Sequence, residues 1–329
     1  MNRKQFLLFA ATMVGATRLA HAQKKYDTGA SDTEIKLGQT MPYSGPLSAY
    51  GVEGRVQVAY FKMLNDRGGI NGRKVTLLSV DDAYNPPKTV EQTRKLVESD
   101  GVLALVSVFG TSHNMAVQKY LNAKKVPQLL ALTGYSKIVD PEKAPFTTSF
   151  MPTYHAEGKI FAKYLLDNRP NAKIGTLSQN DELGRDFLRG LMGGLGSMAK
   201  TMIVKETTYD TTDTTLDSQV LSLQAAGVDT FILVAVGKFP AQALRKTYDI
   251  GWKPLTMLFN AGYSIKTSLE PAGTLDKAVG LVSSVWLKTP GEAQWLGDIH
   301  LFGIGSTLSF GVSGRSINGM ALAVPQLGG

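Results

Sequence analysis

The stretch EIKLGQTMPYSGPLSAYGVEGRVQVAYFKMLNDRGGINGRKVTLLSV, residues 34–80, decides how the rest of the chain is read. Ile35 to Met41 is a β-rich run with Ile35, Leu37 and Gln39 on one side. Pro42 to Tyr50 is a loop, after which Val52, Val56, Ala59, Tyr60 and Met63 recur at helical spacing. Gly68-Gly69 stops that helix, Asn71-Gly72 turns the chain, and Val75 to Val80 is a second strand-length run. Strand, helix and strand in this order predict a parallel pair, because parallel neighbours need a long crossover.

Outward from there the cycle repeats. Pro86-Pro87 opens a helix to about Ser99, the strand Leu103 to Val108 follows, and a helix over about 114–123 leads to the strand Val126 to Leu132. Past Pro141 and Pro145 the series restarts. Helices are predicted at about 154–168, 185–195, 216–226 and 239–250, with strands at about 174–177, 202–208, 231–236, 255–259 and 281–286. Two consecutive series predict an α/β protein of two doubly wound parallel-sheet lobes. Ligands in such sheets sit beyond the carboxyl ends of the strands, so facing lobes enclose an interlobe cleft. Residues 33–146 plus about 275–295 are expected in lobe 1 and 147–274 in lobe 2. At 329 residues the chain is long enough for both cores.

The two ends read differently. Asn2-Arg3-Lys4, the apolar run Phe6 to Ala16 and Ala20-His21-Ala22 form a secretory signal peptide over residues 1–22. The run is too short for a permanent membrane span. Residues 296–329 form an atypical tail without lysine, charged only at Asp298 and Arg315. It is an irregular C-terminal extension or the product of a reading frame altered near Trp295. The second fits better, since structureless segments this long are uncommon in compact domains.

Composition removes several functions. The absence of cysteine excludes thiol catalysis, cysteine metal sites and a cysteine lipid anchor, and suits export without disulfides. The formal charge of +8 falls to +5 without Arg3, Lys4 and Arg18. The basic residues are scattered, so no nucleic-acid surface is expected. His21, His113, His155 and His300 lack metal-ligand spacing, and no nucleophile elbow, Walker or dinucleotide motif is present. Asp81-Asp82 reads as a strand-end cap before the Asn85-Pro86-Pro87 turn rather than a carboxylate pair. No enzyme, metal or cofactor is expected.

The loops at strand ends are more informative. Tyr43, Ser44 and Tyr50 lie in the loop Pro42 to Gly51, and Phe109, Thr111 and Ser112 in Phe109 to Asn114. Gly134, Tyr135 and Ser136 follow Thr133. Glycine admits close approach, hydroxyls donate hydrogen bonds and a helix N-terminus favours an anion. Each alone is more often an ordinary helix cap. Three at the same end of one lobe predict a polar pocket suited to a carboxylate.

Ile35-Lys36-Leu37-Gly38 through Ser44-Gly45-Pro46, Gly68-Gly69-Ile70-Asn71-Gly72-Arg73 and Tyr84-Asn85-Pro86-Pro87-Lys88-Thr89-Val90 resemble the leucine/isoleucine/valine-binding family of ABC importer proteins. Ala123-Lys124-Lys125-Val126-Pro127 and Gln179-Asn180-Asp181-Glu182-Leu183-Gly184-Arg185-Asp186 add to the match, which covers about 34–295. The tail from Leu296 does not resemble the family, whose members continue through further helices and strands. The resemblance implies a type I periplasmic binding fold, a monomer that delivers a small-molecule ligand to an inner-membrane ABC permease. It implies that Ser112 or Thr111 and Ser136, with the backbone of Gly134 and Tyr135, meet the ligand carboxylate. Tyr154, Asn180, Asp181, Lys238, Phe239, Asn260 and Ala261 would line the second lobe's side. A periplasmic sensor of the same fold is the alternative, and an exported enzyme a more distant one.

One departure bears on the ligand. Amino-acid binders of the family place a glutamate in the loop after Phe259, and here that loop reads Asn260-Ala261-Gly262-Tyr263. An unpaired ammonium in a closed cleft is costly. The expected ligand therefore lacks an α-amino group, as aromatic or short organic carboxylates do, with Phe109, Tyr135, Tyr154 and Phe239 as its apolar wall. Asp181 would be the residue to rescue an amino-acid ligand.

Overall fold

The computed structural model describes residues 26–264, 268–273, 278 and 280–286, and the backbone of 321–323. The signal-peptide reading and all but three residues of the tail lie outside the described residues. Among the described residues no helix is long and apolar enough to cross a membrane.

The first sheet has the order β2-β1-β3-β4-β5, all parallel. Its strands are β1 Glu34–Met41, β2 Lys74–Asp81, β3 Ala104–Val106, β4 Gln128–Ala131 and β5 Thr147–Ser149. Helices α1 Gly51–Asp66, α2 Pro86–Arg94 and α3 Thr111–Lys124 make the crossovers. Local chemistry sets their ends. The Asn85 side chain accepts from the Lys88 N–H with Pro86 and Pro87 in the first turn of α2. Gly110, at φ +98°, turns the chain sharply into α3, which begins three residues earlier than its apolar spacing indicates.

The second sheet runs β10-β9-β8-β6-β7 in parallel, with β6 Ile174–Gln179, β7 Ile203–Tyr209, β8 Thr230–Val234, β9 Leu255–Leu258 and β10 Val282–Val285. The backbone of β11, Ala321–Ala323, pairs antiparallel with β10. Helices α4 Tyr154–Asn168, α5 Glu182–Leu195, α6 Asp217–Ala225 and α7 Phe239–Asp249 cover it. Every residue of β8 is buried, as expected of a central strand with helices on both faces.

Two boundaries differ from the sequence reading. β5 was not foreseen and carries the first sheet to Ser149, because its residues Thr147-Thr148-Ser149 have no apolar pattern. The segment at about 275–295, expected in the first lobe, instead supplies β10 to the second sheet, with Val282 beside Met257 and Ser283 beside Leu258. A place between β9 and β11 satisfies its backbone without a return crossing.

Candidate functional site

The strand-end loops of the two lobes face and touch each other. The Tyr50 hydroxyl donates to the Ala261 carbonyl and lies 3.5 Å from the Gly237 N–H. Gln179 Nε2 donates to the Tyr84 hydroxyl at 3.3 Å. Ser112 Oγ donates to Asp181 Oδ2 at 3.0 Å. The Ser136 N–H and hydroxyl both donate to Asp186, at 2.8 and 2.7 Å. The Thr111 and Thr133 hydroxyls are 2.9 Å apart, and each is 3.4 Å from the Tyr154 hydroxyl. Leu47 crosses into the second lobe's core, where a Cβ on Gly237 would lie 2.9 Å from its side chain. Only glycine fits there.

Aromatic rings back these contacts. Phe109 lies between Tyr50, at 5.0 Å, and Tyr84, at 6.0 Å, and His113 is 4.2 Å from the Tyr84 ring. Tyr154 meets Phe259 at 5.3 Å, and Tyr209 meets Phe239 at 4.4 Å. Burial pushes the phenols of Tyr50, Tyr84, Tyr154 and Tyr209 above their ordinary range, so all are neutral hydrogen-bonding groups. Burial likewise pushes His113 down to about 4, against the opposing pull of the Tyr84 backbone and the Asp181 charge.

The carboxylates of this region sit on helices. Asp181 caps α5 by accepting from the Leu183 N–H at 2.9 Å, and it also accepts from Gln179 Nε2. Asp186 is fully buried and paired with Arg189 at 2.9 Å. Glu157, fully buried on α4, accepts from the Asn260 N–H and the Asn260 side-chain amide, and it meets the Ser284 hydroxyl. Burial raises it to about 8 against those hydrogen bonds.

Of the residues singled out from sequence, the structure gathers Tyr50, Phe109, Thr111, Ser112, Ser136, Tyr154, Asp181 and Ala261 at the meeting of the lobes. The Gly134 carbonyl accepts from the Tyr154 N–H at 2.7 Å, and Tyr135 packs on the second lobe's core. Asn260 precedes Ala261 and is tied to Glu157, while Phe239 is a fully buried backing residue. Four residues are not brought in. Tyr43 bonds Ser79 at 2.6 Å within the first lobe, and exposed Ser44 donates to Asp81. Exposed Asn180 reaches Asp210 at 3.1 Å, and exposed Lys238 lies over the Phe239 ring. Each has a nearer partner than the cleft.

Sequence reasoning missed Tyr84, Glu157, Gln179, Asp186 and Tyr209. Gln179 and Tyr209 end their strands, a position that could have flagged both. Glu157 stands three residues after Tyr154, on the same helix face. Asp81 and Asp82 close their turn. Burial pushes Asp81 up, but hydrogen bonds from Ser44, Ala83 and Lys88 outweigh it and hold the carboxyl well below the usual range. Asp82 accepts from the Tyr84 N–H and from Thr89.

Two α/β lobes meeting strand end to strand end define the class of two-lobed cleft proteins. A sequence profile described as "Periplasmic binding protein" matches residues 34–301, and the chain belongs to that family. The family is one of binding proteins, not of enzymes. The resemblance to the leucine/isoleucine/valine-binding group is borne out by its relatives. A Leu/Ile/Val-binding protein homolog 7 of Brucella suis is 22% identical over 254 residues, covering 74% of this chain and 63% of its own. A homolog 3 of Brucella melitensis is 26% identical, covering 75% of this chain and 67% of its own. The chain therefore spans somewhat under two thirds of the length of the Brucella suis relative. Among solved structures, a branched chain amino acid ABC transporter protein of Thermus thermophilus with bound valine aligns with a TM-score of 0.70 at 17% identity, covering 80% of this chain and 68% of its own. A fatty acid ABC transporter substrate-binding protein of Thermomonospora curvata aligns at 0.67 and 23%, covering 79% and 66%. Both show the fold.

Proposed function

We propose that the chain is the solute-binding subunit of an ABC importer, exported to the periplasm, which holds a small organic carboxylate between its lobes and delivers it to an inner-membrane permease. Family membership supports the binding role. The secretory pattern of residues 1–22 supports export. The ligands named for two of the solved relatives, valine and a fatty acid, are both carboxylic acids.

The observation that carries the carboxylate is the contact between Ser112 and Asp181. A carboxylate oxygen from the second lobe rests on a hydroxyl of the first at 3.0 Å, at the N-terminus of α3. That place accepts a carboxylate, and a ligand's would take it when the lobes part. Phe109, Tyr50, Tyr84 and Tyr154 supply the apolar wall beside it. The loop after β9 has no acid to pair with an ammonium, which favours an aromatic or short organic acid lacking an α-amino group. Calorimetric titration with benzoate-type acids and with leucine tests the reading. Saturable heat with the acids and none with leucine is expected, and tight leucine binding with no response to the acids would sink the ligand class.

A further inference from the structure

The acid missing from the loop after β9 is not missing from its surroundings. Glu157 lies directly beneath that loop, fully buried, one helical turn beyond Tyr154. Its Oε1 accepts from the Asn260 N–H at 2.8 Å and contacts the Ser284 hydroxyl on β10. Its Oε2 accepts from Asn260 Nδ2. Among the described residues Asn260 Nδ2 is thus engaged, while Oδ1 makes no hydrogen bond. Asn260 is half-buried and bracketed by two residues of the cleft. Phe259 packs on Tyr154, whose hydroxyl reaches the first lobe, and the Ala261 carbonyl meets Tyr50 of the first lobe.

We infer that Glu157 is a positioning residue for ligand choice: it fixes the Asn260 amide so that the loop turns an oxygen, not an NH2 group, toward the space between the lobes, and so selects a carboxylate that also carries a hydroxyl. The inference rests on the solute-binding reading above and narrows its ligand.

The orientation follows from what each atom can do. Turning the amide over would set Asn260 Oδ1 against Glu157 Oε2, acceptor against acceptor in a buried site, while the amide hydrogens lost their partner. Burial without a neighbouring cation raises Glu157 to about 8, so the group keeps its proton at neutral pH. The Ser284 hydroxyl and the Asn260 N–H both donate to Oε1. Oε2 accepts from Asn260 Nδ2, and that bond sets the orientation of the amide. A neutral amide oxygen then faces the ligand. It accepts from a hydroxyl without requiring a counter-charge, whereas an ammonium set against it would remain unpaired.

The variant Glu157→Gln inverts the arrangement with minimal change of shape. The substituted side chain keeps an oxygen for the Asn260 N–H and the Ser284 hydroxyl but carries an NH2 donor where Oε2 stood. Asn260 then turns Oδ1 inward and its own NH2 outward. Two readouts follow. In ¹⁵N-resolved NMR, the Asn260 side-chain amide protons are protected from solvent exchange in the parent protein and exchange freely in E157Q. In calorimetry, the parent prefers 4-hydroxybenzoate over benzoate and 2-hydroxy-4-methylpentanoate over 4-methylpentanoate by about tenfold, and E157Q loses that preference. Adding Asn260→Asp to E157Q restores an outward acceptor and restores the preference. A merely structural role would weaken all four acids by one common factor, and the double variant would rescue nothing. That result, or amide protection unchanged in E157Q, overturns the inference. Inverted protection with no binding of any acid overturns the ligand reading alone and leaves the role of Glu157 in fixing the amide standing.

Discussion

The two walls of the cleft are made of different chemistry. The first lobe offers hydroxyls and backbone on loops, with Thr111, Ser112, Thr133 and Ser136 in reach of the other lobe. The second offers carboxyls on helices, with Asp181 and Asp186 on α5 facing those serines and Glu157 on α4 behind them. A hydroxyl rotates to donate or accept, while a carboxylate only accepts. When the walls meet directly, the second therefore saturates the first. A guest that separates them must repeat what the aspartates do, and this favours a carboxylate as the guest.

The largest expected effect tests the second lobe's wall through the fully buried Glu157. The carboxyl of Glu157 ordinarily titrates at 4.5 and in the folded protein at about 8. The folded state binds that proton more tightly, so its contribution is fully present below 4.5 and is lost as pH rises through about 8. The loss is on the order of 4–5 kcal/mol before relaxation of the site. Urea denaturation between pH 5 and 9 should show this fall in the parent and a much flatter line in E157Q. Equal slopes in both would remove Glu157 from the account.

His113 tests the first lobe's wall and gives the opposite sign. Its ordinary value of 6.5 falls to about 4 in the folded protein. The unfolded chain binds the proton more readily, so the contribution is fully present above 6.5 and is lost as pH falls through about 4. The effect is on the order of 3 kcal/mol. His113→Phe, stacked on Tyr84, should flatten the acid limb and leave the alkaline limb unchanged. Denaturation midpoints across pH 4–7 decide it.

A smaller effect separates Asp186 from the serine it holds. Asp186 is fully buried and holds both Ser136 donors and Arg189, so Asp186→Ala leaves the two Ser136 donors without an acceptor and Arg189 with Glu182 alone. It should cost about 3 kcal/mol in urea denaturation, as expected when one partner of a buried charged network is removed. Ser136→Ala removes one neutral donor and should cost about 1 kcal/mol. Similar losses from both would mean that the Ser136 hydroxyl accounts for the aspartate's whole contribution and Arg189 for none of it.

How much of this was legible in the sequence follows the same division. The alternation of apolar runs with helical spacing placed the strands and crossovers, because buried parallel strands such as Thr230–Val234 read as continuous apolar runs. The hydroxyl loops of the first lobe were legible for a similar reason, since Gly110 and Gly134 mark the chain's turns beside them. The carboxyls were not. Asp186 and Glu157 sit inside helical patterns where an acid ordinarily faces solvent, and only tertiary packing buries them. β10 was assigned to the wrong sheet because a four-residue strand does not encode its neighbour. Tyr43 and Ser44 belonged to a glycine-proline loop, but Ser79 and Asp81 of the adjacent strand capture their hydroxyls first.

The smallest effect bears most directly on what the cleft holds. Ser112 and Asp181 meet across the lobes at 3.0 Å, but Asp181 also caps α5 through the Leu183 N–H and accepts from Gln179. Asp181→Ala therefore mixes an interlobe term with a cap worth about 1 kcal/mol, and the single variant cannot isolate the contact. A double-mutant cycle with Ser112→Ala removes the cap term, leaving an expected coupling of about 0.5–1.5 kcal/mol in the absence of ligand. The same substitution should act in the other direction on binding. With no internal carboxylate on Ser112, benzoate has no competitor there and no like charge to displace, so Asp181→Ala should bind it several-fold more tightly while being less stable. Stability and affinity falling together would mean that Asp181 holds the ligand instead of standing in its place.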